Sequence, residues 1–170
     1  MPEYPTIEKG NLILRAPSQN DIDDLHEIFR DLDTMSMLNL NPINKKQVEE
    51  LIEQKLINFK RFKEIFLVIY HKSYCRTIGY ICLYYREYNW EVNYCINSFY
   101  RNQGFAFEAL MLLLNYCKEN NSKIVIANVK STNTISIKIL QKAGFKTTGL
   151  TNLYDYDNNK VIGYKYTFVF

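Results

Sequence analysis

The run Arg101-Asn102-Gln103-Gly104-Phe105-Ala106 falls where a period-two segment hands over to a helical one. The first turn of a helix carries free backbone N–H groups and the positive end of the macrodipole. Those groups suit a pyrophosphate. Gly104 has no side chain to bar its approach, and Ala106 has a small one. Arg101 either adds a charge to the phosphates or braces the loop. Neither G-x-x-x-x-G-K-[ST] nor G-x-G-x-x-G occurs in the chain. On these residues alone, a plain turn is the commoner meaning of such a glycine.

The strand just before this run, Trp90 to Asn97, holds the other candidate chemistry. Alternation puts Glu91, Asn93, Cys95 and Asn97 on one face. Trp90, Val92, Tyr94 and Ile96 take the other. Cys95 invites the idea of a thiol nucleophile, but no histidine lies near it in sequence; His26 and His71 belong to other elements. No G-x-S-x-G elbow occurs either.

These residues need elements to position them. Asn11 to Ala16 reads as a first strand, stopped by Pro17. Ser18 and Asp21 have the spacing of a capping box. The helix that follows should bury Ile22, Leu25, Ile28 and Phe29. Asn44 and Gln47 repeat the capping signal before a helix to about Phe59, built on Val48, Leu51, Ile52, Lys55 and Leu56. Between the two helices, Met35, Met37, Leu38 and Leu40 form an apolar loop that either floors a pocket or packs on the core. The period then becomes two. Ile65–His71, Thr77–Tyr85 and Trp90–Asn97 suggest an antiparallel meander. A long helix from about Gly104 to Asn120 precedes a strand from Lys123 to Val129. Ser131 or Thr132 should cap the next helix, and Gly144 should end it in the left-handed conformation. Phe145–Leu153 and Val161–Phe170 close the chain as a hairpin. The order β-α-α-β-β-β-α-β-α-β-β describes an α+β, or mixed α/β, domain with helices on a largely antiparallel sheet. One domain is expected to span residues 1–170.

Composition sets wide limits. The apolar fraction of 47% suits a globular chain. A net charge of +3 is too mild to imply nucleic-acid binding, though it suits a polyanionic ligand. The four cysteines make no C-x-x-C pair, so no zinc site is expected. Reduced thiols in a cytoplasmic protein are the natural reading. The first ten residues lack the apolar core of a signal peptide. No apolar run approaches the ~18 residues of a membrane span.

A second segment, Asn133-Thr134-Ile135-Ser136 leading to Lys142-Ala143-Gly144-Phe145, gives the loop its meaning. The pattern R-x-x-G-x-A, then N-x-x-S, then G-F resembles the GNAT superfamily of acetyl-CoA-dependent N-acetyltransferases. Within it, the chain is most similar to the branch of the ribosomal-protein alanine or serine N-acetyltransferases. The likeness covers nearly the whole chain, including the opening Leu12-Ile13-Leu14-Arg15.

That resemblance implies acetyl-CoA as co-substrate, with no metal, and an amine as acceptor, either a protein N-terminus or a small molecule. It implies that backbone groups of Cys95, Ile96 and Asn97 pair with the pantetheine arm. Amides from Gln103 to Ala106 would hold the pyrophosphate, with Arg101 and Asn102 in the same loop. Asn133 would bond the pantetheine, with Ser136 one turn further along the helix face. An ammonium must lose a proton before it attacks a thioester. Glu91 stands where the related enzymes often carry a glutamate, and it is the candidate base. The tyrosine that many of them use to protonate the thiolate is replaced by Leu140, leaving Ser136 as a candidate acid. Family precedent favours direct attack by the amine over an acyl-cysteine. The alternative is a non-catalytic acyl-CoA-binding domain on the same fold.

On the acceptor side, Asp21, Asp23, Asp24, Glu27, Asp31 and Asp33 could form an acidic rim for a cationic amine; they also suit a solvated helix face. The closing hairpin, with Tyr164, Tyr166 and Phe168, offers a surface for a homodimer.

Overall fold

The computed structural model describes residues 3–86, 89–155 and 157–170. Its centre is an eight-stranded sheet in the order β1-β2-β3-β4-β5-β6-β8-β7. The strands are β1 (Ile7–Lys9), β2 (Leu12–Arg15), β3 (Glu64–His71), β4 (Arg76–Arg86), β5 (Asn89–Ile96), β6 (Ile124–Lys130), β7 (Lys146–Tyr154) and β8 (Lys160–Val169). The helices are α1 (Ile22–Phe29), α2 (Leu32–Leu38), α3 (Lys45–Lys60), α4 (Phe105–Glu119) and α5 (Thr134–Lys142). β1 to β5 pair antiparallel in succession. β5 meets β6 in parallel, and β6, β8 and β7 are again antiparallel. The mixed α/β arrangement expected from the sequence is therefore present, and among the described residues the sheet is mixed by virtue of a single parallel junction.

Each face of the sheet has its own core, which is why β3 reads as an unbroken apolar run. Leu67 and Ile69 point to the α4–α5 side, joining Leu12, Leu14, Ile81, Val92, Leu110 and Leu113. Phe66 and Val68 point to the α1–α3 side, joining Leu25, Ile28, Met35, Val48 and Ile52. The predicted stripe of α1 is buried throughout. Capping boxes form at Ser18–Asp21 and Asn44–Gln47, and Gly144 is left-handed at φ 96°.

Three local expectations need correction. β1 pairs with β2 through only three residues, too short for its alternation to register. The segment expected as an apolar loop folds as α2: Asp31 caps it by accepting from Thr34 N, and Asn39 ends it at φ 60°. Met35 is fully buried there, whereas Met37 and Leu40 are exposed. α5 is capped neither by Ser131 nor by Thr132 but by Asn133, whose side chain accepts from Ser136 N at 3.1 Å.

The hairpin aromatics are taken up within the chain. Tyr166 is buried, and Tyr164 and Phe168 pack on the same core. The large apolar side chains that the hairpin does expose include Leu150, Tyr154 and Ile162.

Candidate functional site

The parallel junction is brief. Among the described residues, only Trp90↔Val125 and Glu91↔Ile126 pair between β5 and β6. Beyond them β5 runs on to Ile96 and β6 to Lys130, and the strands diverge. A cavity of about 160 Å³ opens in the fork. β5 contributes Glu91, Asn93 and Tyr94, and β6 contributes Asn128 and Lys130. Asn133, Ser136 and Leu140 approach from α5; Met37, Leu38 and Asn39 approach from α2.

The phosphate-loop candidate lies past the end of β5. Gly104 is left-handed at φ 86°, and no side chain caps α4. The first α4 bond runs from Glu108 N to Gly104 O at 3.0 Å. The amides of Phe105, Ala106 and Phe107 therefore precede the helical ladder, as an anion site requires. A Cβ built on Gly104 meets nothing within 4 Å, so the space above those amides is open. Asn102 and Gln103 are exposed beside it. Gln103 Oε1 accepts from the Tyr74 hydroxyl at 3.3 Å. These residues fit a pyrophosphate.

Of the two roles open to Arg101, the geometry favours bracing. Its Nε donates to Ile96 O at 3.0 Å and its Nη2 to Thr34 Oγ1 at 2.6 Å. The guanidinium thus pins α2 to the end of β5. Asn97 is also a bracket: its Oδ1 accepts from Phe99 N at 3.1 Å, and its Nδ2 donates to Glu27 Oε2 at 3.2 Å.

The alternation read from β5 holds. Val92 and Ile96 join the α4–α5 core, and Cys95 joins the other. Glu91 is half-buried. Its Oε1 accepts from Asn128 Nδ2 at 3.0 Å, and Arg86 Nε lies 3.9 Å from Oε2. Glu91, Asn133 and Ser136 therefore meet in one cavity. Leu140, 1% exposed, forms part of its wall and carries no proton.

Sequence reasoning missed Tyr94, although it lines the fork. Its hydroxyl donates to Ser136 O at 3.4 Å. Burial raises the phenol well above its ordinary pKa, outweighing that bond. Cys95 is a poor nucleophile here. Burial pushes its thiol up to about 12, against the lowering influence of Arg101.

Sequence reasoning also missed an asparagine cluster. The side-chain oxygens of Asn39, Asn93 and Asn128 are buried without a hydrogen-bond partner, and all three residues line the fork. Such an orphan acceptor costs about 1–3 kcal/mol. The signal was there in part: Ile126, Asn128 and Lys130 alternate on one face of β6 as Glu91 and Asn93 do on β5.

Most acidic residues of the first helical region are engaged by partners within the fold. Asp21 is 2% exposed and bonds Arg15, Ser18 and Thr77. Asp24 and Glu27 both bind Arg76. Asp23 pairs with Lys45, and Asp31 caps α2. Asp33 is exposed.

A profile of the GNAT acetyltransferase domain matches residues 11–146, and the chain belongs to that family. It is 34% identical over 89 residues to the N-acetyltransferase YnaD of Bacillus subtilis (strain 168), described as uncharacterized. That match covers 51% of this chain; the chain spans about half the length of this curated relative, 52%. A GNAT-family acetyltransferase from Bacillus anthracis superposes with TM-score 0.86 at 22% identity, covering 97% of this chain and 98% of the other. RimL, the ribosomal L7/L12 alpha-N-protein acetyltransferase solved with coenzyme A, superposes with TM-score 0.84 at 14% identity, covering 97% and 98%. At these identities the structural likeness establishes the fold. Among the described residues, no helix is long and apolar enough to cross a membrane.

Proposed function

We propose that the chain is a single-domain N-acetyltransferase that moves acetyl from acetyl-CoA to a primary amine by direct attack. One observation carries this reading: the β5–β6 ladder stops at Glu91, and the strand beyond it leads to the uncapped end of α4. A thioester chain can lie in the fork while its pyrophosphate sits on that helix. Amides from Gln103 to Phe107 would hold the phosphates. The edge of β5 at Cys95, Ile96 and Asn97 would pair with the pantetheine. Asn133 spends its oxygen on capping α5, so its Nδ2 is the group left for the arm.

The amine lone pair attacks the thioester carbonyl carbon, and the C–S bond breaks. The amine proton goes to Glu91, oriented by Asn128. The thiolate leaves readily, since a thiol has pKa near ~8.5, and takes its proton from the Ser136 hydroxyl or from water. The buried Cys95 thiol supports direct attack over an acyl-cysteine. RimL's coenzyme and acceptor, together with the sequence pattern, favour acetyl-CoA as donor and keep a protein N-terminus among the acceptors. The cytoplasm is the compartment that suits its free thiols. A homodimer through the closing hairpin would use Leu150, Tyr154 and Ile162 rather than the internal aromatics.

Leu140 in the wall of the fork favours a second reading, a non-catalytic acyl-CoA-binding domain. Thiol release from acetyl-CoA across a panel of amines separates the two. Turnover with any amine supports the enzyme; tight acetyl-CoA binding with no amine acetylated supports the binding domain.

A further inference from the structure

We infer that the acceptor subsite is built for a single primary ammonium on an otherwise uncharged body, received by the side-chain oxygens of Asn39, Asn93 and Asn128 beside Glu91. The inference rests on the acetyltransfer reading above.

The orphan oxygens come from separate elements and converge on the same side of the sheet. Asn93 and Asn128 each lie two residues beyond the last β5–β6 pair, Glu91↔Ile126. They therefore stand level across the open fork, on the face that Glu91 shares. Asn39 reaches in from the C-terminus of α2, where its left-handed backbone is fixed by bonds from its N–H to Met35 O and Ser36 O. The orientation of Asn128 is set by its own partner. Its Nδ2 donates to Glu91, so its Oδ1 must face away, unpaired.

These three oxygens and the Glu91 carboxylate can only accept. Their complement is a group that only donates. A primary ammonium has three N–H bonds and no lone pair. Once it gives a proton to Glu91, the neutral amine still has two N–H bonds to hold it in place.

Charge limits the rest of the ligand. Among the described residues lining the fork, Glu91 is the only carboxylate, and Lys130 lines it too, with Nζ on Ser36 O at 2.6 Å. A second or third cation on the acceptor would find no partner there. The carboxylates of α1 are already engaged by Arg76 and Lys45. Met37, Leu38 and Leu153 add apolar surface to the lining. A monoamine with neutral or apolar neighbours fits; a polyamine or an aminoglycoside does not.

The test uses the full chain, acetyl-CoA and three probe amines: phenethylamine, alanyl-leucinamide and spermidine. Thiol release is measured for the wild type and for Asn93→Leu and Asn39→Gly, the latter keeping a residue suited to a positive φ. We expect at least one monoamine to have a KM about tenfold or more below that of spermidine, since every 1.4 kcal/mol is tenfold. Each variant should raise that KM by about tenfold or more, with kcat much less affected and the acetyl-CoA Kd unchanged by calorimetry. Asn93→Leu should melt no lower than the wild type, because it removes a buried acceptor that the folded protein leaves unpaired. A merely structural asparagine predicts the opposite. Unchanged KM in the variants, a preference for spermidine, or a lower melting point for Asn93→Leu overturns the subsite while acetyltransfer stands. Acetyl-CoA binding with no amine consumed overturns acetyltransfer itself, and the subsite with it. Should Asn93→Leu fail to fold, the orphan argument for Asn93 is overturned, and Asn39→Gly decides the remainder.

Discussion

Gly104→Ala separates backbone strain from loss of the coenzyme site. Gly104 has φ 86°, a left-handed region that costs an L-residue about 1–2 kcal/mol. The added methyl meets no heavy atom within 4 Å. Strain without a clash should lower the unfolding free energy by about 1 kcal/mol. For a chain of this size that is a Tm loss of about 2–4 °C. The same open space is where phosphate oxygens must approach the amides of Phe105 and Ala106. A methyl group there would hold an anion beyond hydrogen-bond reach. The acetyl-CoA Kd should therefore rise by at least about tenfold, equivalent to about 1.4 kcal/mol. Calorimetry gives Kd, and urea unfolding of the same preparation gives stability. Gly149→Ala is the control: it too has a positive φ, 155°, and open space, but it sits in β7. That variant should lose stability and keep its affinity. If Gly104→Ala loses stability yet binds acetyl-CoA normally, the pyrophosphate does not sit on α4 and the reasoning is refuted.

Glu91→Gln should lower kcat by about 10²-fold or more through loss of the base, with acetyl-CoA affinity retained; a kcat within about threefold of wild type would remove Glu91 from the mechanism. Ellman titration of the native protein near pH 8 should find Cys75 reacting first, because it is exposed and the other three cysteines are buried. Cys95→Ser should retain transfer, and a trapped acyl group on Cys95 would count against direct attack. Burial alone would raise the Asp21 carboxyl, but hydrogen bonds from Arg15, Thr77 and Ser18 hold it below its ordinary value of 3.8. A depressed folded-state pKa gives stability that is complete above the unfolded value and fades as pH falls through the folded one. Asp21→Asn should therefore cost about 3 kcal/mol at neutral pH, and its deficit should shrink as the pH drops below about 4. A deficit that stays constant on acid titration would show that packing, not charge, is what Asp21 supplies.

What could be read in the sequence was what neighbours in the chain decide. The α1 stripe, the capping boxes and Gly144 all depend on residues a turn apart. The β5 alternation that put Glu91 and Asn93 on one face depends on residues two apart. α2 escaped because a seven-residue helix buries too little to impose a period: Met35 points in while Met37 points out. The fork itself was illegible. Periodicity finds β5 and β6 but says nothing of where two parallel strands part. The convergence of Asn39, Asn93 and Asn128 depends on that parting. The engaged acids of α1 were hidden for the same reason, since Arg76 and Lys45 reach them from distant positions. The family pattern supplied the donor side because its motifs are local; the acceptor side is assembled across the fold.

The short β5–β6 ladder also divides the sheet mechanically. Five strands lie on one side of it and three on the other, joined in register at two residue pairs. A coenzyme arm laid in the gap would act as a splint between the two blocks. Their relative motion should then be quietest when the donor is bound, and amide exchange along β6 and the far end of β5 should slow on adding acetyl-CoA. Asn93 rides on one block and Asn128 on the other. Their spacing would be steady only in the splinted state, so the amine should bind well only after the coenzyme has taken its place.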